Sequence, residues 1–350
     1  MLPIDLRSDT VTRPTEAMMA AMAQAPLGDD SRDGDPTVGR LEQLAAQLTG
    51  KDAALFVPSG TMGNLVALMS HAQRGSQVLV DAGAHLLTSE MGGLVAIAGI
   101  VPQVMPSRLG RMDEAAVATA LTAGHAPGRL APGLVWLETS HNDAGGLVLP
   151  LDHVARLGAL ARRHGVPLHI DGARLFNAAV ALGVPAATLA GPADSVMFCV
   201  SKGLSAPVGS LLAGSQAFVA RARALRRMVG GSLRQSGVIA AAGIVALETM
   251  IGRLAEDHRM ARRLASGLAA IDAGLVETSL VETNIVKVDL AASGLDAATW
   301  TSRLATSGVL VQPRGGAQLR LVTHRHIDAA AVDMALSAFA EVARQAGTAR

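Results

Sequence analysis

Two segments, VPLHIDGAR at residues 166–174 and SVMFCVSK at residues 195–202, decide the fold of this chain. Each contains a short apolar run, and the runs lead into Asp171 in the first segment and Lys202 in the second. Apolar runs of this length indicate strands that are buried on both faces. Because a helix-like segment separates them, they predict an α/β fold with a mostly parallel sheet covered by helices.

The same alternation of strand and helix extends toward the N-terminus. The pattern predicts strands at residues 53–57, 77–80 and 134–138, and helices at residues 62–71 and 151–164. Ligands of parallel sheets gather at the carboxyl ends of the strands. Asp171, Lys202 and the turn Ser59-Gly60-Thr61 all follow predicted strands, so we expect them at one edge of the sheet.

A second domain is expected toward the C-terminus, because 350 residues exceed what one small core needs. A helical pattern from Ser232 to about Ile271 predicts a long helix that bridges to this domain. Beyond it, the pattern predicts strands at residues 283–290 and 318–322 and a closing helix at residues 327–344. We therefore expect a large domain over residues 1–250 and a small α/β domain over residues 251–350.

Composition and charge exclude several classes of function. With 30 basic and 29 acidic residues, the chain has no electrostatic reason to bind nucleic acid or an anionic membrane. Its long uncharged stretches are interrupted by Gly, Pro and polar residues, which argues against a membrane span. The N-terminal segment becomes charged at once and lacks the apolar core of a signal peptide, so a cytoplasmic location is expected.

The single cysteine, Cys199, excludes an intramolecular disulfide and a cysteine-rich metal cluster. It lies inside the apolar run 196–200 and is predicted to be a small buried side chain. No metal site is predicted. The chain also contains no tyrosine, so no phenol can act as an acid, a base or a stacking ring.

Lys202 is the candidate nucleophile. An amine that forms an imine must attack in its unprotonated form, which an apolar environment and a positive neighbour favour. The apolar run before Lys202 and the close backbone approach that Gly203 allows support this role. So does the rarity of lysine, since Lys51 and Lys287 are the only others. The alternative is an ordinary surface lysine just after a strand.

Two further groups at this edge suit a flat, anionic heterocycle. Asp171 would hold a pyridine nitrogen protonated, which makes the ring an electron sink for a developing carbanion. Alternatively, it caps the helix that follows. The hydroxyls and backbone N–H groups of Ser59, Gly60 and Thr61, at the start of a helix, suit a phosphate dianion. The same tripeptide is also an ordinary helix cap.

Three more residues are candidates for contacts with a cofactor or a substrate. His85, shortly after a strand, would stack on a flat ring and titrate near neutral pH, although a loop histidine with local partners is the alternative. Arg320 lies between apolar residues in a predicted strand and needs a carboxylate, either from the protein or from a substrate. His125, in a loop of Gly, Ala and Pro, is a weaker candidate.

Several segments resemble motifs of one enzyme family, the low-specificity L-threonine aldolases. They follow the family order along nearly the whole chain: IDLRSDTVT (residues 4–12), GDD (28–30), DPT (35–37), ALFVPSGTM (54–62), HIDGARLFN (169–177), SKGLSAPVGS (201–210), GGSLRQ (230–235), DH (257–258) and RLVTH (320–324). The resemblance implies a fold-type I enzyme dependent on pyridoxal 5′-phosphate (PLP), with a mostly parallel seven-stranded sheet in its large domain.

The resemblance also implies a role for each candidate residue. Lys202 would form the Schiff base, Asp171 would face the pyridine nitrogen, and His85 would stack on the ring. The remaining contacts divide into a phosphate site formed by Ser59, Gly60 and Thr61 and a substrate carboxylate site formed by Ser8, Arg174 and Arg320. Arg174 would also lie near the phenolic oxygen of the cofactor.

Members of the family are tetramers whose active sites lie at dimer interfaces, so a homotetramer is expected here. Arg234, or Arg226 and Arg227, would then reach the phosphate of a neighbouring subunit. The chain departs from the family at residues 31–34, where Ser-Arg-Asp-Gly replaces Val-Tyr-Gly-Glu. A loop near the substrate thereby gains the cation Arg32, which suggests a polar or acidic substrate tail.

The predicted reaction is retro-aldol cleavage of L-threonine, L-allo-threonine or a related L-β-hydroxy-α-amino acid to glycine and an aldehyde. His85, directly or through a water, is the expected base for the β-hydroxyl proton, with assistance from His125. One alternative is a PLP-dependent β-eliminating lyase or aminotransferase, which the lack of tyrosine disfavours. The other is a nucleotide-binding or purely structural α/β protein.

Overall fold

Strands and helices alternate along the chain in the computed structural model, which describes residues 3–124 and 126–347. The strands are β1 (Ile4–Asp5), β2 (Ala53–Val57), β3 (Gln77–Asp81), β4 (Val101–Met105), β5 (Ser107–Arg108), β6 (Arg111–Met112), β7 (Pro132–Glu138), β8 (Leu168–Asp171), β9 (Ser195–Cys199), β10 (Ser210–Gly214), β11 (Ile285–Asp289), β12 (Val309–Leu310), β13 (Gln312–Pro313) and β14 (Gln318–Val322). The helices are α1 (Glu16–Gln24), α2 (Pro36–Thr49), α3 (Gly60–His71), α4 (His85–Thr88), α5 (Gly93–Ala96), α6 (Glu114–Ala123), α7 (Leu151–Arg163), α8 (Leu175–Leu182), α9 (Ala186–Ala190), α10 (Gln216–Met228), α11 (Gly237–Thr249), α12 (Leu254–Ile271), α13 (Ala297–Thr306) and α14 (Ala329–Gly347).

A seven-stranded sheet in the order β2-β10-β9-β8-β7-β3-β4 forms the centre of the molecule. Only β10 runs antiparallel to its neighbours, and the other six strands point the same way. The α/β class and the mostly parallel sheet are therefore confirmed. Strands β8 and β9 are buried at every residue, as the continuous apolar runs in these two segments predicted.

Polar caps start the helices that follow the loops at the edge of this sheet. The Asp35 carboxylate accepts from the backbone N–H groups of Thr37 and Val38, and Pro36 occupies the first turn of α2. Ser59 caps α3 through the N–H of Met62. These local signals place the start of each helix directly after the end of a strand or loop.

A separate hydrophobic core is built from residues 260–342 together with Leu6. Around it, β11, β14 and β13 form an antiparallel sheet. Strand β1 pairs in parallel with β12, so the N-terminal segment joins this C-terminal unit before it crosses to the main sheet.

The predicted single helix from Ser232 to Ile271 is wrong: α11 and α12 are separate helices that meet at an angle of 72°. The bend follows from the two cores that the segment serves. Leu247 and Leu254 pack in the core of the large sheet, whereas Met260 and Leu264 pack in the C-terminal core. Helix α12 is therefore the part that bridges the two.

A helix long and apolar enough to cross a bilayer on its own does not occur among residues 3–124 and 126–347. The bent pair α11 and α12 reaches the length and the apolar composition of a membrane span only when its two members are counted together.

Candidate active site

The carboxyl ends of five parallel strands bring the candidate residues to one edge of the sheet. The turn with Ser59 follows β2, His85 follows β3, and Lys202 follows β9. Glu138 and Asp171 are the last residues of β7 and β8, and the strand register pairs them with each other. Since β8 and β9 are adjacent and parallel, the predicted carboxylate and amine emerge at the ends of neighbouring strands.

Asp171 is buried, and both of its carboxylate oxygens accept hydrogen bonds. Oδ1 accepts from the backbone N–H of Ala173 at 3.0 Å, and Oδ2 accepts from the side-chain amide of Asn64 at 2.8 Å. Helix α8 begins at Leu175, and Asp171 does not cap it. The helix-cap alternative is therefore wrong, and a buried anion is held at the strand end.

His85 is fixed by two other carboxylates. Its Nδ1 lies 2.9 Å from Oε1 of Glu90, and its backbone N–H donates to Oε2 of Glu138 at 2.6 Å. The hydrogen bond with Glu90 raises the pKa of His85, the charges of Asp171 and Glu138 raise it further, and burial opposes them. Burial also raises the pKa of Glu90, an effect that Asp171 reinforces and that hydrogen bonds from His85 and Asn64 oppose.

Lys202 lies in a loop that the N-terminal segment holds in place. Its carbonyl oxygen accepts from the Thr12 hydroxyl at 2.8 Å and from the Ser205 backbone N–H at 2.8 Å. A side chain at Gly203 would meet Leu254 at 2.9 Å, so the loop packs closely on α12. Lys202 is half-buried, and its amine makes no hydrogen bond to the part of the chain that the structure describes.

The buried ion pair of Asp9 and Arg174 was not predicted. Both oxygens of Asp9 accept from the Arg174 guanidinium at 2.7 Å, and Asn284 donates a third hydrogen bond at 3.1 Å. Burial alone would raise the pKa of Asp9, but the charges of Arg174 and Lys202 hold this pKa well below its usual range. Asp9 therefore lies within electrostatic reach of the candidate nucleophile.

Arg320 is a partly buried cation without a carboxylate partner among residues 3–124 and 126–347. Its Nη1 donates to the Asn142 side-chain oxygen at 2.8 Å, its Nη2 donates to the Arg7 carbonyl at 3.1 Å, and its Nε has no partner. Burial, together with the charges of Arg174 and Arg314, lowers the pKa of Arg320 to about 10. The internal ion pair that the sequence left open is absent from these described residues.

The start of helix α3 is the candidate anion cradle. The Ser59 hydroxyl accepts from the Met62 N–H at 3.2 Å, while the N–H groups of Gly60 and Thr61 belong to the first turn, which has no intrahelical acceptor. A side chain at Gly60 would meet Cys199 Sγ at 3.0 Å, so the cradle lies against the end of β9. Cys199 itself is buried, as predicted.

Three other predicted residues make local contacts of their own. Arg32 is 80% exposed and lies 3.7 Å from Asp29, and Arg234 Nη1 donates to the Ser31 hydroxyl at 2.5 Å. The Ser8 hydroxyl accepts from the Thr10 N–H at 3.2 Å and caps a short 3-10 helix.

The predicted reach of Arg226 into a neighbouring subunit conflicts with the structure. Arg226 is buried, binds Asp30 at 2.6 Å and donates to the Phe56 carbonyl at 2.7 Å. Breaking these contacts would leave a buried charge without a partner. Arg227 is exposed, and His125 lies outside the described residues.

Asn64, Glu90, Glu138 and Asn142 also escaped the sequence analysis as site residues. Asn64 is a polar residue on the buried face of a mostly apolar helix, and Glu138 ends a strand that is buried over its last five residues. A search for polar residues at buried positions of the predicted elements would have found both, because such residues need specific partners.

The residues at this edge suit PLP. The free amine of Lys202 matches an aldehyde, the buried Asp171 matches a pyridinium nitrogen, and the open turn at Gly60 matches a phosphate. The tight approach of Gly60 to Cys199 keeps this turn close to the end of β9, next to the loop of Lys202.

Known proteins are similar to this chain in both sequence and fold. Low-specificity L-threonine aldolase 1 of Arabidopsis thaliana is 43% identical over 346 residues, which cover 97% of this chain and 96% of the relative. Low specificity L-threonine aldolase of Escherichia coli strain K12 is 43% identical over 281 residues, 78% of this chain and 81% of that protein. The solved structure of Leishmania major threonine aldolase has a TM-score of 0.80 at 20% identity and covers 98% of this chain and 99% of its own.

The profile of the beta-eliminating lyase family matches residues 5–292, which include every strand of the large sheet. The matched segment carries the amine, the buried carboxylate and the anion cradle at one sheet edge. The chain therefore belongs to the beta-eliminating lyase family and, within it, to the low-specificity L-threonine aldolases, which are PLP-dependent lyases of fold type I.

Proposed function

We propose that this protein cleaves L-threonine, L-allo-threonine or related L-β-hydroxy-α-amino acids to glycine and an aldehyde. The observation that carries the proposal is Arg320, a partly buried guanidinium with no carboxylate partner in the described chain, beside the pair of Asp9 and Arg174. An amino-acid carboxylate would supply the anion that this cation needs. The 43% identity to low-specificity L-threonine aldolases supports the same substrate class.

The cofactor site would use residues at or just after the carboxyl ends of three strands, β2, β8 and β9. Lys202 would hold PLP covalently, Asp171 would keep its ring nitrogen protonated, and the cradle of Ser59, Gly60 and Thr61 would bind its phosphate. Bound PLP supplies an electron sink for the pair released when the Cα–Cβ bond breaks. Arg174 would face the phenolic oxygen while Asp9 holds its guanidinium.

The protein side chains then orient the substrate and move its proton. Arg320 would bind the carboxylate through its guanidinium, with the Ser8 hydroxyl nearby as a second donor. His85 would accept the β-hydroxyl proton, directly or through a water, while its backbone stays fixed on Glu138. A positioned base of this kind contributes about 10²–10⁴ in rate. His125 would assist.

We also propose a cytoplasmic homotetramer with active sites at dimer interfaces. Arg32 and Arg234 are exposed on one side of the molecule and make no described contact with Lys202, Asp171 or Arg320. In the assembly, Arg234 would reach a neighbour's phosphate and Arg32 would face the tail of its substrate. The division into domains at residues 1–250 and 251–350 is supported by the two separate cores.

A product assay tests the function. Purified holoenzyme incubated with L-threonine is expected to release acetaldehyde and glycine in equal amounts. Release of ammonia or a keto acid instead would favour a β-eliminating lyase or an aminotransferase. A colourless protein that borohydride does not bleach would exclude PLP altogether and leave a nucleotide-binding or structural role.

Replacing Asn142 by Ala is expected to raise KM for L-threonine about threefold to tenfold with little change in kcat. Arg320 would lose the acceptor that orients Nη1, and one such hydrogen bond is worth about 0.5–1.5 kcal/mol. A contact made equally in ground and transition states acts on KM. Steady-state kinetics check this.

An Arg320→Lys background provides the control for Asn142. Without the planar guanidinium, the Asn142→Ala change should have no further effect, because the two residues act as one unit. Equal effects of Asn142→Ala in both backgrounds would show that it acts on the substrate by another route.

A further inference from the structure

We propose that Glu90 is the positioning residue that makes His85 a base, because it holds the imidazole proton on Nδ1 and leaves Nε2 free to accept the β-hydroxyl proton. The inference rests on the proposed function and concerns how its proton transfer is prepared. Such a role requires that Glu90 be buried, directed at Nδ1 and unable to turn away.

The local geometry meets the first two requirements. Glu90 lies two residues after the end of α4, and the turn brings its side chain back to His85 at the start of that helix. The Glu90 side chain is 3% exposed and the His85 side chain is 35% exposed. Only Nδ1 of the ring meets the carboxylate, at 2.9 Å, so the partly open part of the side chain is available to a substrate.

Asn64 supplies the third requirement. The same Nδ2 donates to Glu90 Oε1 at 2.7 Å and to Asp171 Oδ2 at 2.8 Å. Its two hydrogens therefore bridge the carboxylate under His85 to the carboxylate proposed for the cofactor nitrogen. Glu90 cannot rotate away without breaking a buried hydrogen bond and leaving one of the two Asn64 amide hydrogens without an acceptor.

Hydrogen-bond counting then decides the tautomer of His85. Glu90 Oε1 accepts from Asn64, and as an ionised carboxylate it has no hydrogen to donate to His85. An acceptor opposite Nδ1 requires that Nδ1 carry the hydrogen. If Nδ1 were unprotonated, its lone pair would face and repel a lone pair of the Glu90 oxygen. In neutral imidazole the other nitrogen, Nε2, is then the acceptor, which is the state that a general base needs.

The charges around His85 point the same way. The groups that face it are Glu90 from the turn after α4, Asp171 from β8 and Glu138 from β7, and all three are anionic when ionised. They stabilise the imidazolium that forms when His85 takes a proton, so they strengthen the base. Below the raised pKa of His85, the ring is protonated on both nitrogens and cannot accept, so kcat/KM should fall on the acid side.

Glu90→Gln tests the inference, with Glu114→Gln as a matched control. Glutamine keeps the shape but removes the charge, so the acid limb of the kcat/KM profile should move to lower pH. We also expect kcat to fall about 10–100-fold, the usual loss when a residue that orients a functional histidine is replaced. Glu114 makes the same contact with another histidine, 2.8 Å to His153 Nδ1, on helices α6 and α7. Its replacement should leave the acid limb in place.

Nuclear magnetic resonance of ¹⁵N-histidine holoenzyme gives a readout independent of turnover, with the His85 signals assigned by His85→Asn. In the wild type, neutral His85 should carry its hydrogen on Nδ1, and its pKa should fall in Glu90→Gln by the same amount as the kinetic limb. Glu90→Asp keeps the charge and should restore part of both shifts.

Three results would overturn the inference. They are a neutral His85 protonated on Nε2, a pKa and acid limb unaltered in a folded Glu90→Gln holoenzyme, and a wild-type activity lost to EDTA and restored by Zn²⁺. The last would mean that His85, Glu90 and Asp171, whose ligand atoms lie within 4.8 Å of one another, hold a cation instead. Failure of the proposed function would give a different result. The wild type would release no aldehyde, while the His85 signals would still show the hydrogen bond between His85 and Glu90.

Discussion

Lys202→Ala is expected to lose the visible absorbance of covalently held PLP and to lower kcat for L-threonine cleavage by about 10⁴-fold or more. Losses of this order follow when a group that acts covalently is removed and only binding contacts remain. No other described lysine can replace it. Lys51 donates to the Ala193 carbonyl, before the amino ends of β2 and β9. Lys287, which pairs with Arg320 across β11 and β14, donates to the Asp143 carbonyl.

The absorbance and the turnover of Lys202→Ala should be compared with those of Lys51→Ala. Lys51 precedes the amino end of β2, at the edge of the sheet opposite the site, and its amine binds a backbone carbonyl, so its replacement should leave the spectrum and the rate unchanged. Glycine and aldehyde formation at the wild-type rate by Lys202→Ala would refute the assignment of the nucleophile.

The charges of the site are divided between its two sides. Arg174, Arg320 and Lys202 are cations around Asp9, where a substrate carboxylate needs positive partners. Glu90, Glu138 and Asp171 are buried carboxylates around His85, where a protonated ring nitrogen and an imidazolium need negative ones. This separation suits a reaction in which the substrate carboxylate is bound on one side and protonated groups, the ring nitrogen and His85, are stabilised on the other.

The strand ends of the site could be predicted from the sequence because a local pattern specifies them. Continuous apolar runs that lead into Asp171 and Lys202 identified β8 and β9, and parallel pairing brings their carboxyl ends together whatever the details of packing. The same rule placed the turn at Ser59 at this edge, where the loop of His85 also lies.

The partners of these residues could not be predicted, because they come from distant parts of the chain. Asp9 and Arg174 are 165 positions apart, and Asn142 and Arg320 are 178 apart. Each contact depends on how distant segments of the chain come together in the fold, and the hydrophobic periodicity of the sequence does not indicate this. The break between α11 and α12 was missed for the same reason, since both halves have helical patterns and only packing on two cores separates them.

Asp9→Asn is expected to lower the free energy of unfolding by about 3–5 kcal/mol, the usual cost of removing one partner of a buried ion pair. Asp9 is completely buried and Arg174 nearly so. The change would leave the Arg174 guanidinium near Arg320 and Lys202 without the anion that balances all three. Urea denaturation checks this. Asp333→Asn, at an exposed pair with Arg263, is the control that should change little.

The pH dependence of this difference separates a charge effect from a packing effect. The folded state lowers the pKa of Asp9, so its stabilising contribution is present above the unfolded pKa of about 3.9 and is lost as pH falls toward the folded value. The gap in stability between wild type and Asp9→Asn should therefore stay constant from pH 8 to about pH 5 and narrow below about pH 4. A gap that stays equally wide in acid would mean that the asparagine disturbs packing, and that neutralisation of the three cations is not what Asp9 contributes.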